Sequence, residues 1–260
     1  MISFLIILTL ASSFYGFGPK SLLPAIIVVL TTTLLDFSIE YLKYKSFSFP
    51  QSALVTGLLI GGLLTQNLPW YVYVIAGIIA VASKHVIKLQ KKHIFNPANF
   101  GVLLVSIFFG AAHSWWVSSP LVFVLIFGIF IIYRLRRFDL ALSFLISYYL
   151  VNSSIELIKG NTTNDIYLTI INGGIIYFFS MYMLIEPKTN PSQRKQRIVY
   201  GILVAILFVA FSQYPQFYKN ALATFFEKHS IPLALAIGNI LVPVLNRLNF
   251  DFKKKEEHKG

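Results

Sequence analysis

The chain has 260 residues, of which 56% are hydrophobic, 16% aromatic and only 12% charged, against about 25% charged in ordinary soluble domains. An excess of 22 Lys and Arg over 10 Asp and Glu gives +12; long apolar runs assign that charge to a membrane protein, and no nucleic-acid partner is expected. There is no cysteine, which removes disulfides, thiolate metal sites and covalently attached c-type haem together.

A membrane-spanning helix needs about 20 mainly apolar residues. Ten segments approach this along the chain: residues 2–17, 21–39, 50–65, 69–85, 96–112, 119–133, 138–151, 166–185, 198–213 and 231–246. The expectation is an all-α polytopic membrane protein with about ten transmembrane helices. Small residues Ala11, Ser12 and Ser13, ending the apolar stretch that starts at Met1, suggest a cleaved leader, but it lacks Lys and Arg at its start, so the segment counts as a helix. The segment 50–65 is short and is expected to be an interrupted helix.

Lys and Arg should gather in every second loop, on the cytoplasmic side. One set of loops holds Lys43 and Lys45, Lys84 to Lys92, Arg134 to Arg137, Lys188 to Arg197, and the tail from Arg247 to Lys259. The alternate loops keep only Lys20, Lys159, Lys219 and Lys228. Both termini are therefore expected in the cytoplasm, with residues 1–246 as one transmembrane domain and 247–260 as a basic tail drawn to the anionic lipid bilayer. Tight joins between the first and second and between the sixth and seventh segments suggest two five-helix repeats, about 1–112 and 119–246. An odd number of helices per repeat inverts the second copy, and such folds bind near the midplane, at interrupted helices.

Three stretches carry chemistry. In KKHIFNPANFG, Lys91 to Gly101, Asn96 reads as an N-cap and Pro97 as the first helical residue; Ala98 and Gly101 follow. Such a start presents unpaired amides suited to phosphate, or is an ordinary helix start. In FPQSALVTGLLIGGLL, Phe49 to Leu64, Gly57 belongs to a small-residue face for close packing and Thr56 is able to bond across helices. In MLIEPKTNP, Met183 to Pro191, Glu186 lies at the edge of the hydrocarbon, where it carries protons or cations, snorkels to water, or pairs with Lys188. Among the histidines, His113 and His229 fall near one face, but no helix carries the stacked pair that a haem b needs.

The order of SALVTGLLIGGLL, LPW, KKHIFNPANFG, IEPKTNP and LALAIGNILVPVLN resembles the NqrB/RnfD family of membrane subunits, which serve Na+-translocating NADH:quinone reductase and the Rnf electron transport complex. The resemblance runs from Phe49 to Asn246. Phe95, Asn96, Pro97, Ala98 and Gly101 match its most characteristic motif, and Glu186 and Pro187 its acidic-Pro step. It implies a ten-helix subunit, distantly like urea transporters in fold, that carries flavin and passes electrons inside an ion-pumping complex. Asn96, Pro97, Ala98, Gly101, Thr56 and Gly57 then become cofactor-binding candidates, with Glu186 and Lys188 on an ion or proton pathway.

One departure matters. Members of the family usually carry a Ser-Gly-Ala-Thr motif whose threonine takes FMN covalently, in an insertion after the Asn-Pro-Ala helix. Here that stretch is only AAHSWWVS, Ala111 to Ser118. Covalent FMN is not expected, and noncovalent FMN, riboflavin or no flavin remain as alternatives. Expected partners are other electron transport subunits or flavin-carrying redox proteins. The competing function is a stand-alone channel or transporter for a small polar solute.

Overall fold

The structure, a computed structural model, describes residues 1–45, 49–89 and 92–248. Lys91 and the tail beyond Leu248, including Lys253 to Lys259, lie outside the described residues. Helix follows apolar runs throughout. The helices are α1 (Ile2–Ser12, prolonged by a π-turn to Phe17), α2 (Leu22–Tyr44), α3 (Gln51–Leu63), α4 (Trp70–Val86), α5 (Pro97–Phe109), α6 (Leu121–Leu135), α7 (Phe138–Ile158), α8 (Thr163–Ile171), α9 (Gly174–Phe178, prolonged by a π-turn to Met183), α10 (Arg194–Phe217) and α11 (Ala221–Arg247). A two-residue hairpin, β1 (Lys88–Leu89) with β2 (Lys92–His93), precedes α5.

Every one of the ten expected segments contains helix, but they are not equal as membrane spans. Four helices among the described residues, α2, α7, α10 and α11, are long and apolar enough to cross, and the pair α8–α9 makes five if its two parts form one span. α1, α3, α4, α5 and α6 are shorter apolar helices. The expected break also moves. α3 is continuous, whereas the eighth segment bends by 49° between Thr163–Ile171 and Gly174–Met183. Two adjacent glycines, Gly173 and Gly174, fall at that bend, and Gly is the residue that most readily leaves a helix without steric cost.

The solvent logic of a soluble protein is reversed. Leu23, Ile26, Leu30 and Leu34 form an exposed stripe on α2, each at least half exposed, and Val122, Ile126 and Phe130 do the same on α6. Their spacing of three or four residues places each set on one helix face. Inside lie Thr32, Asp36, Asn96, Asn99 and Asn239. Apolar outside and polar within is the arrangement of a helix bundle in lipid.

α2 packs on α3 and α4, and α4 on α5; later in the chain α7 packs on α10 and α10 on α11. α3 leans on α2 through Gly57 and Gly61: a Cβ on Gly57 would lie 2.7 Å from Val29 Cα, and one on Gly61 2.6 Å from Ala25 Cα. Thr32 Oγ1 donates across this contact to the Ala53 carbonyl at 2.9 Å. Thr56 does not bond across helices; its hydroxyl donates back to Ser52 within α3. The segment between the halves is buried and functions as a cap. Trp116 Nε1 donates to the Gly61 carbonyl, and the amides of Ser114 and Trp115 both donate to Leu63, so the last carbonyls of α3 find partners away from water.

An acid on the second helix meets a base on the fourth in each half. Asp36 of α2 accepts from Lys84 Nζ of α4 at 2.7 Å, with His85 Nε2 also 2.7 Å away. Asp139 of α7 accepts from Arg197 of α10 at 2.6 Å.

Candidate functional site

The most polar buried region is the crossing of α5 and α11. Asn96 stands in extended geometry before Pro97, and its Oδ1 accepts from the Asn99 amide at 3.0 Å. This is the expected N-cap. The rest of Asn96 is used as well: its amide donates to Asn239 Oδ1 at 3.1 Å, and its Nδ2 to the Met183 carbonyl. Asn99 Nδ2 reaches the Pro232 carbonyl at 2.9 Å, while Asn239 Nδ2 donates to Thr189 O and to Tyr200 Oη. As residue numbers rise on α5 from 96 to 99, their partners fall on α11 from 239 to 232, so the two helices cross antiparallel. Asn96, Asn99 and Asn239 are all buried, and of their side-chain polar atoms Asn99 Oδ1 has no partner; the bonds that are made favour one geometry.

Glu186 joins this cluster from the segment after α9. Its Oε1 lies 3.0 Å from His93 Nε2, and its Oε2 accepts from Thr189 Oγ1 at 3.3 Å. Its backbone carbonyl takes Asn190 Nδ2. The pairing with Lys188 expected from sequence does not form; Lys188 is exposed and lines a separate cleft.

Three cavities surround the crossing. Thr56, Asn96, Pro97, Ala98 and Glu186 share a small one, of about 160 Å³. At the capped end of α5, a cleft of about 530 Å³ is lined by Lys92, His93, Arg137, Lys188, Asn239 and Arg247 among others. At the other end of α5, a cavity of about 470 Å³ lies between Ser106, His113, Lys228 and His229. The candidate residues therefore divide. Thr56, Asn96, Pro97, Ala98 and Glu186 converge on one cavity, whereas Gly57 and Gly101 face neighbouring helices, a Cβ on Gly101 meeting the Ala76 carbonyl at 2.6 Å.

At the start of α5 the Asn96 and Asn99 amides are bonded by side chains and Pro97 has none to give, which leaves the Ala98 amide beside the small cavity. That cavity is smaller than the roughly 300–1,000 Å³ of ordinary ligand pockets.

Two partners carried no local signal: Asn239 and Tyr200 are whole helices away from Asn96, and only the fold brings them in. His93 and Thr189 lie inside the motifs read from sequence, but the pairing of His93 with Glu186 spans 93 residues. His113 is also tied down. Its Nδ1 accepts from Trp115 Nε1, and its ring also bonds the backbone of Lys228. Pro232 leaves that carbonyl without its usual helical donor. Burial outweighs this bond and lowers the His113 pKa from its ordinary value.

Exposed apolar stripes around a buried polar crossing define a membrane-embedded helical protein. Residues 1–121, a little under half of the chain, match the NQR2, RnfD, RnfE family, and over that stretch the chain is similar to it. The match includes KKHIFNPANFG and ends before Glu186 and Asn239, which the fold brings onto it. No curated protein matches the chain.

Proposed function

We propose that this protein is a multi-pass cell-membrane subunit of an Rnf-like electron transport complex, and that the α5–α11 crossing is where it passes protons or small cations. The observation that carries this reading is the His93–Glu186 pair, a carboxylate held 3.0 Å from an imidazole beside a buried polar cluster in an otherwise apolar bundle. Ionisable groups so placed are costly in lipid and are found where ions move. A proton on His93 Nε2 has a direct path to Glu186 Oε1; beyond it, the amides of Asn96 and Asn239 supply polar groups between the two larger cavities.

The antiparallel α5 and α11, with corresponding acid–base ties in each half, support two inverted repeats. Ten short or full spans with both termini cytoplasmic agree with the partition of Lys and Arg. In this reading electrons come from flavin-carrying or other redox partner subunits. The stand-alone solute channel is not favoured by the family match.

The test is Glu186→Gln in the assembled complex. The amide keeps the shape and one acceptor oxygen but cannot carry the charge. Assembly and electron transfer should persist while coupled ion movement into proteoliposomes falls at least about a hundredfold, the lower end of what one lost acid–base group costs. Unchanged ion movement would remove Glu186 from the pathway.

A further inference from the structure

The sequence around the α5 cap has a counterpart that periodicity does not show. Lys92 and His93 precede Pro97; Lys228 and His229 precede Pro232. Because α5 and α11 cross antiparallel, the two Lys-His pairs open onto the two larger cavities at opposite ends of the crossing. Their chemistry then differs in one respect. His93 finds the Glu186 carboxylate of its own chain. No Asp or Glu lines the cavity of His229.

Two buried polar atoms in that second cavity have no partner, His229 Nδ1 and Ser106 Oγ. Their residues are 7% and 3% exposed, and they belong to different helices. Buried polar groups are ordinarily paired, and each exception asks for a reason. Ser106 could have bonded back to its own helix, as Thr9, Thr31 and Thr56 do, yet does not. Lys228 stands beside them, exposed and in no ion pair among the described residues.

A hydroxyl, an imidazole nitrogen and an ammonium around one cavity of about 470 Å³ are matched by an oxygen anion, because the hydroxyl and ammonium donate hydrogen bonds, the imidazole does so in its Nδ1–H tautomer, and the ammonium is cationic. We propose that this cavity binds a carboxylate or phosphate oxyanion, with Ser106 Oγ and His229 Nδ1 donating to it and Lys228 neutralising it. The oxyanion occupies, for His229, the role that Glu186 has for His93. The assignment rests on the lining residues and does not depend on the ion pathway or on which membrane face the cavity meets. A free anion and the phosphodiester of an anionic lipid share this chemistry.

Trp115, bonded to His113 on the cavity wall, offers a reporter. The purified full chain, in uncharged detergent, is titrated with inorganic phosphate and with acetate while tryptophan fluorescence is followed. Native mass spectrometry then compares retention of phosphatidylglycerol and phosphatidylcholine. Saturable binding of phosphate or acetate identifies a free anion; retention of phosphatidylglycerol alone identifies the lipid source. In either case Lys228→Gln, at an exposed position, and Ser106→Ala should each weaken binding about tenfold, as expected for loss of a charge-assisted bond, without lowering Tm. Absence of binding in both arms overturns the site. So does binding that both variants retain in full, and a Ser106→Ala protein that is only more stable would show the hydroxyl to be a packing defect.

Discussion

Each half of the chain ties two helices together through an acid and a base, α2 to α4 and α7 to α10, and the two ties differ in how tightly each is backed. In the first half Asp36 takes Lys84 and His85 with almost no exposure, and Lys84 has no other hydrogen-bond partner among the described residues. In the second, Arg197 holds Asp139 but also donates to the Ser192 carbonyl. The fifth helices show the same contrast. Asn96 starts α5 afresh, whereas α11 runs through Pro232 without a break. A bundle in lipid has no hydrophobic force to hold helix against helix, so close packing and buried polar bonds set its architecture. The two ties and the two end cavities therefore differ in their polar details, and at the cavities the difference becomes chemical.

The largest effect should come from breaking the ties. Asp36→Ala strands Lys84 in a buried place and should cost about 3–5 kcal/mol. Asp139→Ala leaves Arg197 its second partner and should cost less, about 2 kcal/mol. Thermal unfolding in detergent orders the two; equal losses would erase the distinction between the halves.

Glycine contacts give the next difference. A Cβ on Gly101 would press on a backbone carbonyl, but one on Gly128 would first meet Met181 Sδ, on an unbranched side chain that can shift. Gly101→Ala should destabilise by about 2–3 kcal/mol and Gly128→Ala by about 1 kcal/mol. The same measurement ranks them.

At the cap, Asn96→Ala should cost about 2 kcal/mol. Asn96→Asp would normally preserve a helix start. Here it replaces an Nδ2 donor facing the Met183 carbonyl with an oxygen, so it should be at least as destabilising as Ala. A fully stable Asp variant would mean that the cap matters and the crossing does not.

The smallest effect is on pH. Burial holds His113 below its ordinary pKa, so the unfolded chain takes a proton before the folded one does. Stability is then whole above the ordinary value near 6.5 and declines as pH falls through it toward the lower folded value. His113→Asn should flatten the dependence of Tm on pH between 7 and 5.

Much of this was legible from local pattern. Apolar runs located helix in all ten segments, and Asn96 before Pro97 marked the start of α5, because both signals lie within a few neighbouring residues. What escaped was set by distance along the chain. The bend fell at Gly173 and Gly174 and not in α3, since Gly57 and Gly61 serve contacts with α2 that hold α3 straight. Glu186 looked toward its neighbour Lys188, but its partner His93 lies five helices earlier in the chain. The amides of α5 looked free until Asn239, remote in sequence, reached one of them.

The central claim is that one crossing joins two cavities that open on opposite membrane faces. The chain has no cysteine, so single replacements report cleanly. Ser192→Cys lines the cleft of His93 and Thr224→Cys the cavity of His229, both at exposed positions. An impermeant thiol reagent applied to whole cells should label Thr224→Cys and spare Ser192→Cys until the membrane is opened. Labelling of both from one side would contradict the inverted arrangement.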